Sequence, residues 1–133
     1  MSTVINIRKS IAVVDDDARI LESIEDLLEA AGYSVLLFQS AEALIEGDRP
    51  YRLDCLITDI GLPVIDGFEL GRIVRSTRPE LPLIFITGRH ETADQGRAAE
   101  FAHQAFFRKP FDAAALLGAV SDALSTGTGE ERS

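Results

Sequence analysis

The sequence predicts a doubly wound α/β sandwich, and three observations lead there. Short, continuous apolar runs alternate with amphipathic helical patterns from Ile11 to Leu124. Runs of that kind suit parallel strands covered on both faces. Five β–α units in sequence imply right-handed crossovers with helices on each side of one sheet. Finally, most of the runs end in polar residues, and an open parallel sheet binds its ligands beyond the carboxyl ends of its strands.

Each element has its own local justification. The strand candidates are Ile11–Val14, Ser34–Phe38, Leu53–Thr58, Leu83–Thr87 and Ala105–Phe107, mostly rich in Val, Ile, Leu or Phe. The first helical pattern, "ARILESIEDLLEAAG", sets Ile20, Ile24, Leu27, Leu28 and Ala31 on one face and stops at Gly32. "SAEALIEGD" starts with Ser40 as its cap, and "GFELGRIVRSTRPE" runs until Pro79. Glu91 to Ala102 reads as a weakly amphipathic helix. The last helix starts at Asp112 and carries Leu116, Leu117, Val120 and Leu124 at helical spacing. Residues 1–124 are expected to form one domain. The small, polar tail from Ser125, "STGTGEERS", is expected to be disordered.

With 133 residues, the chain can bury a core without disulfides or a structural metal. Its net charge of −9 argues against direct nucleic-acid partners and anionic membranes. The single cysteine, Cys55, lies in the apolar run "LDCLITDI" and reads as a buried structural thiol. "MSTVINIRKS" lacks an apolar stretch long enough for a signal peptide, and no segment approaches a transmembrane span. Together these features predict a reducing, cytoplasmic setting.

The strand ends carry the chemistry. "IAVVDDDARI" places Asp15, Asp16 and Asp17 directly after the first strand, where like charges repel and desolvation penalises each. Helix capping accounts for Asp17 but not for all three. The third strand leads into Asp59, the fourth ends in Thr87, and Lys109 followed by Pro110 closes the fifth. Asp15, Asp16 and Asp59 supply hard oxygen ligands with no His or Cys beside them, which suits Mg²⁺ better than zinc. A divalent cation would offset their repulsion. Lys109 adds a fixed positive charge beside an anionic phosphoryl group, and Thr87 can donate to a phosphoryl oxygen. An aspartate in this company can act as a nucleophile and form an aspartyl-phosphate. Neither a G-x-x-x-x-G-K-[ST] loop nor a G-x-G-x-x-G turn is present, which excludes nucleotide sites of those kinds.

The ordered set "VVDDD", "LITDIGLPVIDGFEL", "IFITG" and "FFRKPF" resembles the receiver domain of two-component response regulators, in the CheY-like superfamily. "ITG" and "QSAEALI" look most like its FixJ-like branch. The resemblance implies a five-stranded parallel sheet in the order 2-1-3-4-5 with five helices. It implies that Asp59 is the phosphoacceptor and Asp16 a direct Mg²⁺ ligand, with Asp15 acting largely through water. Gly61 would lend its carbonyl to the metal. Thr87 matches the switch hydroxyl, Lys109 the phosphoryl-contacting lysine with a cis bond to Pro110, and Phe106 the aromatic switch position. Arg89 falls where family members often tune phosphate lifetime. The implied partners are a sensor histidine kinase or histidine phosphotransfer protein and a downstream protein target, with homodimerisation on phosphorylation. Two departures stand out. Leu62 replaces a more usual Met, and Ala102, His103 and Ala105 replace the usual Gly-Ala and acid, which bears on the loop entering the fifth strand.

His90 and His103 lack a helical phosphotransfer setting and read as surface residues. The enzyme-class alternative is an Asp-nucleophile phosphatase or phosphotransferase of the haloacid-dehalogenase type. That class needs a second acid two residues after the nucleophile, where this chain has Gly61. The favoured reading is therefore a switch that catalyses its own phosphorylation and dephosphorylation without turning over a separate substrate.

Overall fold

The computed structural model describes residues 8–47, 53–89 and 91–129, with side chains described through 125. The strands are β1 (Ser10–Val14), β2 (Ser34–Phe38), β3 (Cys55–Asp59), β4 (Leu83–Thr87) and β5 (Gln104–Arg108). The helices are α1 (Ala18–Ala30), α2 (Ala41–Glu46), α3 (Gly67–Thr77), α4 (Thr92–Ala98) and α5 (Ala113–Gly129). All strand pairs are parallel and run in the order β2-β1-β3-β4-β5. The order reverses between β2-β1 and β3, which is the switch point where a doubly wound sheet opens a crevice.

Side-chain alternation divides the core into two layers. On one face Ile11, Val13, Cys55, Ile57, Ile84 and Ile86 meet Leu21, Ile24 and Leu28 of α1 and Leu116 and Val120 of α5. On the other, Ala12, Val14, Leu56, Leu83 and Phe85 meet Leu44 of α2, Phe68 and Leu70 of α3 and Ala98 of α4. Central strands β1, β3 and β4 are almost wholly buried, and the edge strands β2 and β5 are half-buried.

Local chemistry fixes the helix starts. Asp17 accepts from the Arg19 N–H, Ser40 from Ala43 and Asp66 from Glu69, each satisfying an otherwise orphaned donor. Several boundaries differ from expectation. β3 begins at Cys55 rather than Leu53, where Asp54 turns its carboxylate back to the Ser10 N–H at 2.8 Å, and it includes Asp59, which pairs in register with Ile86. The buried face of α1 is Leu21, Ile24 and Leu28; Ile20 and Leu27 flank it half-buried, and Ala31 is exposed. α4 is shorter than the expected stretch, spanning Thr92–Ala98 with only Asp94 and Ala98 buried. α5 continues past Leu124 to Gly129, and the remaining four residues of the tail lie outside the described residues.

Cys55 is fully buried, and burial, helped by the Asp54 charge, pushes its thiol up to about 12. It is a core residue. Among the described residues no helix is long and apolar enough to cross a membrane.

Candidate functional site

The polar strand ends converge at the carboxyl edge of the sheet. Asp15, immediately after β1, is fully buried, Asp59 at the end of β3 is 7% exposed, and Asp16 faces solvent. One carboxylate oxygen from each lies within 4.8 Å of the others. By alternation, Asp15 and Asp59 continue the α1/α5 face of the sheet, whereas Thr87 continues the face that carries Phe85. The site therefore straddles the sheet edge, and neither helical layer covers it alone.

Hydrogen bonds assign different duties to Asp15 and Asp59. Asp15 uses both oxygens: Oδ1 accepts the Asp17 N–H at 2.9 Å and Oδ2 accepts Lys109 Nζ at 2.9 Å. Asp59 Oδ1 accepts the Gly61 N–H at 3.2 Å, and its Oδ2 lies 3.7 Å from Lys109 Nζ. The lysine thus bridges two acids, hydrogen-bonded to Asp15 and in ion-pair range of Asp59. Burial, then the neighbouring Asp15 charge, hold the Asp59 carboxyl above the ordinary carboxylate range; Gly61 and Lys109 only partly counter them. The Lys109 pKa is raised as well, which for an ammonium favours the charged form. Burial works against its charge, but the Asp15 hydrogen bond and the nearby acids outweigh it and keep its pKa raised. One ammonium among three carboxylates leaves an excess of negative charge. That all-oxygen donor set fits a hard divalent cation.

Thr87 is fully buried at the end of β4. Its carbonyl accepts the Lys109 N–H at 2.7 Å, and its Oγ1 accepts the Arg89 N–H at 2.9 Å. The Lys109–Pro110 peptide is cis, as the resemblance implies. Phe106 lies farther from the edge. It pairs in register with Phe85, while Thr87 pairs with Arg108. The Phe106 ring is half-buried against the α2/α3/α4 layer, with the Arg108 guanidinium 5.3 Å from its centroid. Asp17 caps α1, as expected, and His90 lies outside the described residues.

Leu62 is buried in the same layer, so it fills the apolar role of the residue it replaces. In the loop entering β5, His103 adopts φ 53° and its carbonyl accepts the Leu83 N–H at 3.1 Å. Arg75 Nη2 donates to the Ala102 and His103 carbonyls, which ties down the turn that the altered sequence forms.

Three features escaped the sequence reading. Gly67 packs against the phosphoacceptor candidate's own backbone: a Cβ there would meet the Asp59 carbonyl and stand 2.7 Å from Ile60 Cα. The Asp66-Gly67 pair is a turn signal that could have located it. Val64, in the loop after β3, is 90% exposed with φ 69°, a strained backbone for a β-branched residue. Asp94 is buried in α4 and paired with Arg89, and nothing in the weakly patterned stretch around it announces this.

A family model described as the response regulator receiver domain matches residues 11–121. The response regulator protein TodT of Pseudomonas putida is 32% identical over 114 residues, covering 86% of this chain and 50% of that protein. The transcriptional regulatory protein FixJ of Azorhizobium caulinodans is 32% identical over 120 residues, covering 90% of this chain and 57% of FixJ. The chain therefore spans about half the length of the curated relatives it matches. A CheY-like receiver domain structure from Methanospirillum hungatei superposes with a TM-score of 0.83 at 29% identity, covering 93% of this chain and 99% of that one. With the sheet order, the acidic cluster and the bridging lysine, these matches show that the chain belongs to the response regulator receiver domain family.

Proposed function

We propose that Asp59 is the phosphoacceptor of an Mg²⁺-dependent signalling switch, with residues 1–124 as the receiver unit. The observation that carries the reading is the convergence of Asp15, Asp16 and Asp59 within 4.8 Å beside a lysine shared by two of them. Asp15 already has donors on both oxygens, so Asp16, Asp59 and the Gly61 carbonyl are the natural direct contacts for the cation, with Asp15 reaching it through water. When bound, Mg²⁺ favours the ionised Asp59 and offsets charge on the incoming phosphoryl group.

The residues divide the work. An Asp59 carboxylate oxygen forms a new bond to phosphorus as the donor's phosphorus–nitrogen bond breaks, and the departing imidazole keeps the electron pair. The Gly61 N–H fixes the orientation of the carboxylate. Lys109, kept charged by its acidic neighbours, stabilises the phosphoryl oxygens. The Thr87 oxygen accepts from Arg89, which leaves its own proton available for a phosphoryl oxygen. Turning Thr87 toward that oxygen opens space beside Phe106. The ring is already packed against the core layer and has no hydroxyl to hold it outward, so phosphorylation acts as a modest population shift.

The donor is a sensor histidine kinase or histidine phosphotransfer protein. The output goes to a protein target in the cytoplasm, with homodimerisation on phosphorylation. Direct nucleic-acid or membrane contact is disfavoured by the net charge of −9. The chain modifies itself and turns over no separate substrate. A haloacid-dehalogenase type of hydrolysis has no support, because Gly61 stands where its general acid is needed.

Incubation with acetyl phosphate and Mg²⁺ tests the reading by intact mass. The native chain should gain one phosphoryl group only with the metal present, and Asp59→Asn should gain none. Equal labelling of the variant contradicts the assignment.

A further inference from the structure

Arg89 has contacts that phosphoryl transfer alone does not explain. Its backbone N–H donates to Thr87 Oγ1 at 2.9 Å, and its guanidinium pairs with both oxygens of Asp94, Nε to Oδ2 at 3.1 Å and Nη2 to Oδ1 at 2.8 Å. The Asp94 side chain is 2% exposed, whereas that of Arg89 is 41% exposed. A carboxylate so deeply buried is costly unless it is paired, so Asp94 binds α4 to the position of Arg89.

Among the described residues, few other interactions hold the start of α4. The helix has seven residues, its N-cap Glu91 makes no side-chain capping bond, and only Asp94 and Ala98 are buried. Arg108 Nη2 reaches the Glu91 carbonyl at 3.3 Å, and Arg97 stacks on Phe68 at 4.3 Å nearer the other end. Arginine contacts, more than apolar burial, set where this helix lies.

We infer that Thr87, Arg89 and Asp94 form a latch that ties the strand-end hydroxyl to α4 in the unphosphorylated protein. Arg89 is a positioning residue here, because its side chain is committed to Asp94. When Thr87 turns toward a phosphoryl group, the Arg89 N–H loses its acceptor, and a shift of Arg89 carries Asp94 and α4 with it. This last consequence rests on the phosphoacceptor reading; the latch in the resting protein does not.

Hydrogen exchange of the α4 amides in the full, unphosphorylated chain tests the latch. Arg89→Gln should speed exchange over residues 92–98 by roughly tenfold or more, while the β1 and β3 amides stay near their original rates. Thr87→Ala should act in the same direction more weakly, and the double variant should exchange no faster than Arg89→Gln alone. Arg89→Lys keeps the charge without the two-point contact and should fall between. If Arg89→Gln does not fold, Asp94→Asn takes its place in the cycle. Exchange in α4 within about twofold of the original, or factors that simply multiply in the double variant, overturns the latch. Acetyl phosphate labelling of the unaltered chain judges the phosphoacceptor reading separately. A coupled cycle in a chain that takes no label would defeat that reading and leave the latch standing.

Discussion

Asp59 is the residue on which sequence, geometry and charge agree most closely. Folding buries it beside Asp15, and both effects favour its protonated form. The folded chain therefore holds the Asp59 proton to a higher pH than the unfolded chain does. The stabilisation from that proton is fully present below the unfolded value of ~3.9 and is lost as pH rises through the raised folded value. In chelator, the metal-free protein should lose stability across that interval, and Asp59→Asn should flatten this part of a denaturant-midpoint profile. A variant profile matching the native one would show that Asp59 carries no folding strain. Gly67 gives a prediction of another kind. Its missing Cβ allows α3 to approach the Asp59 backbone, where neither neighbour can move aside like a flexible side chain. Gly67→Ala should cost about 1–3 kcal/mol by overpacking, read as a lower urea midpoint with unchanged m-value. An unchanged midpoint would mean that the loop relaxes freely.

The strongly patterned elements were legible because their periodicity is a direct consequence of what they bury. β1, β3 and β4 are continuous apolar runs since both faces are covered, and the α1 period located Ile24 and Leu28 on the buried stripe but missed Leu21, which completes it. α4 was the least legible. Its anchor is the ion pair between Arg89 and Asp94, and a buried acid leaves no hydrophobic periodicity to read. Caps were easier, since Ser40 and Asp17 act on residues two or three positions ahead. Ser40→Ala should therefore destabilise the protein by about 1 kcal/mol in chemical denaturation, the usual cost of an N-cap. No measurable loss would show that α2 is held by Leu44 and its neighbours alone. The acidic cluster, Thr87 and Lys109 were readable because each lies at the end of a strand or within two residues beyond it, whereas the Asp15–Lys109 hydrogen bond spans 94 positions and only the sheet order brings it together.

For the whole molecule, two apolar layers build a rigid sheet whose carboxyl edge concentrates more negative charge than one lysine can balance. Cation binding to the native state alone raises stability with concentration, by about 2.7 kcal/mol at one hundred times the dissociation constant. Mg²⁺ should thus raise the melting temperature in a saturable way, and Asp16→Asn should remove most of the rise. Persistence of the full rise in that variant would place the cation elsewhere. Fold, acidic edge and family membership together make the chain a receiver, and the proposed switch requires that the phosphoryl group rest on one carboxylate. Borohydride reduction of the labelled protein, followed by peptide mass spectrometry, tests this most directly, because an aspartyl-phosphate is reduced to homoserine and other acids are left intact. Homoserine is expected at position 59 alone, in chains treated with acetyl phosphate and Mg²⁺. Homoserine at position 15 or 16, or a labelled chain without any, would contradict it.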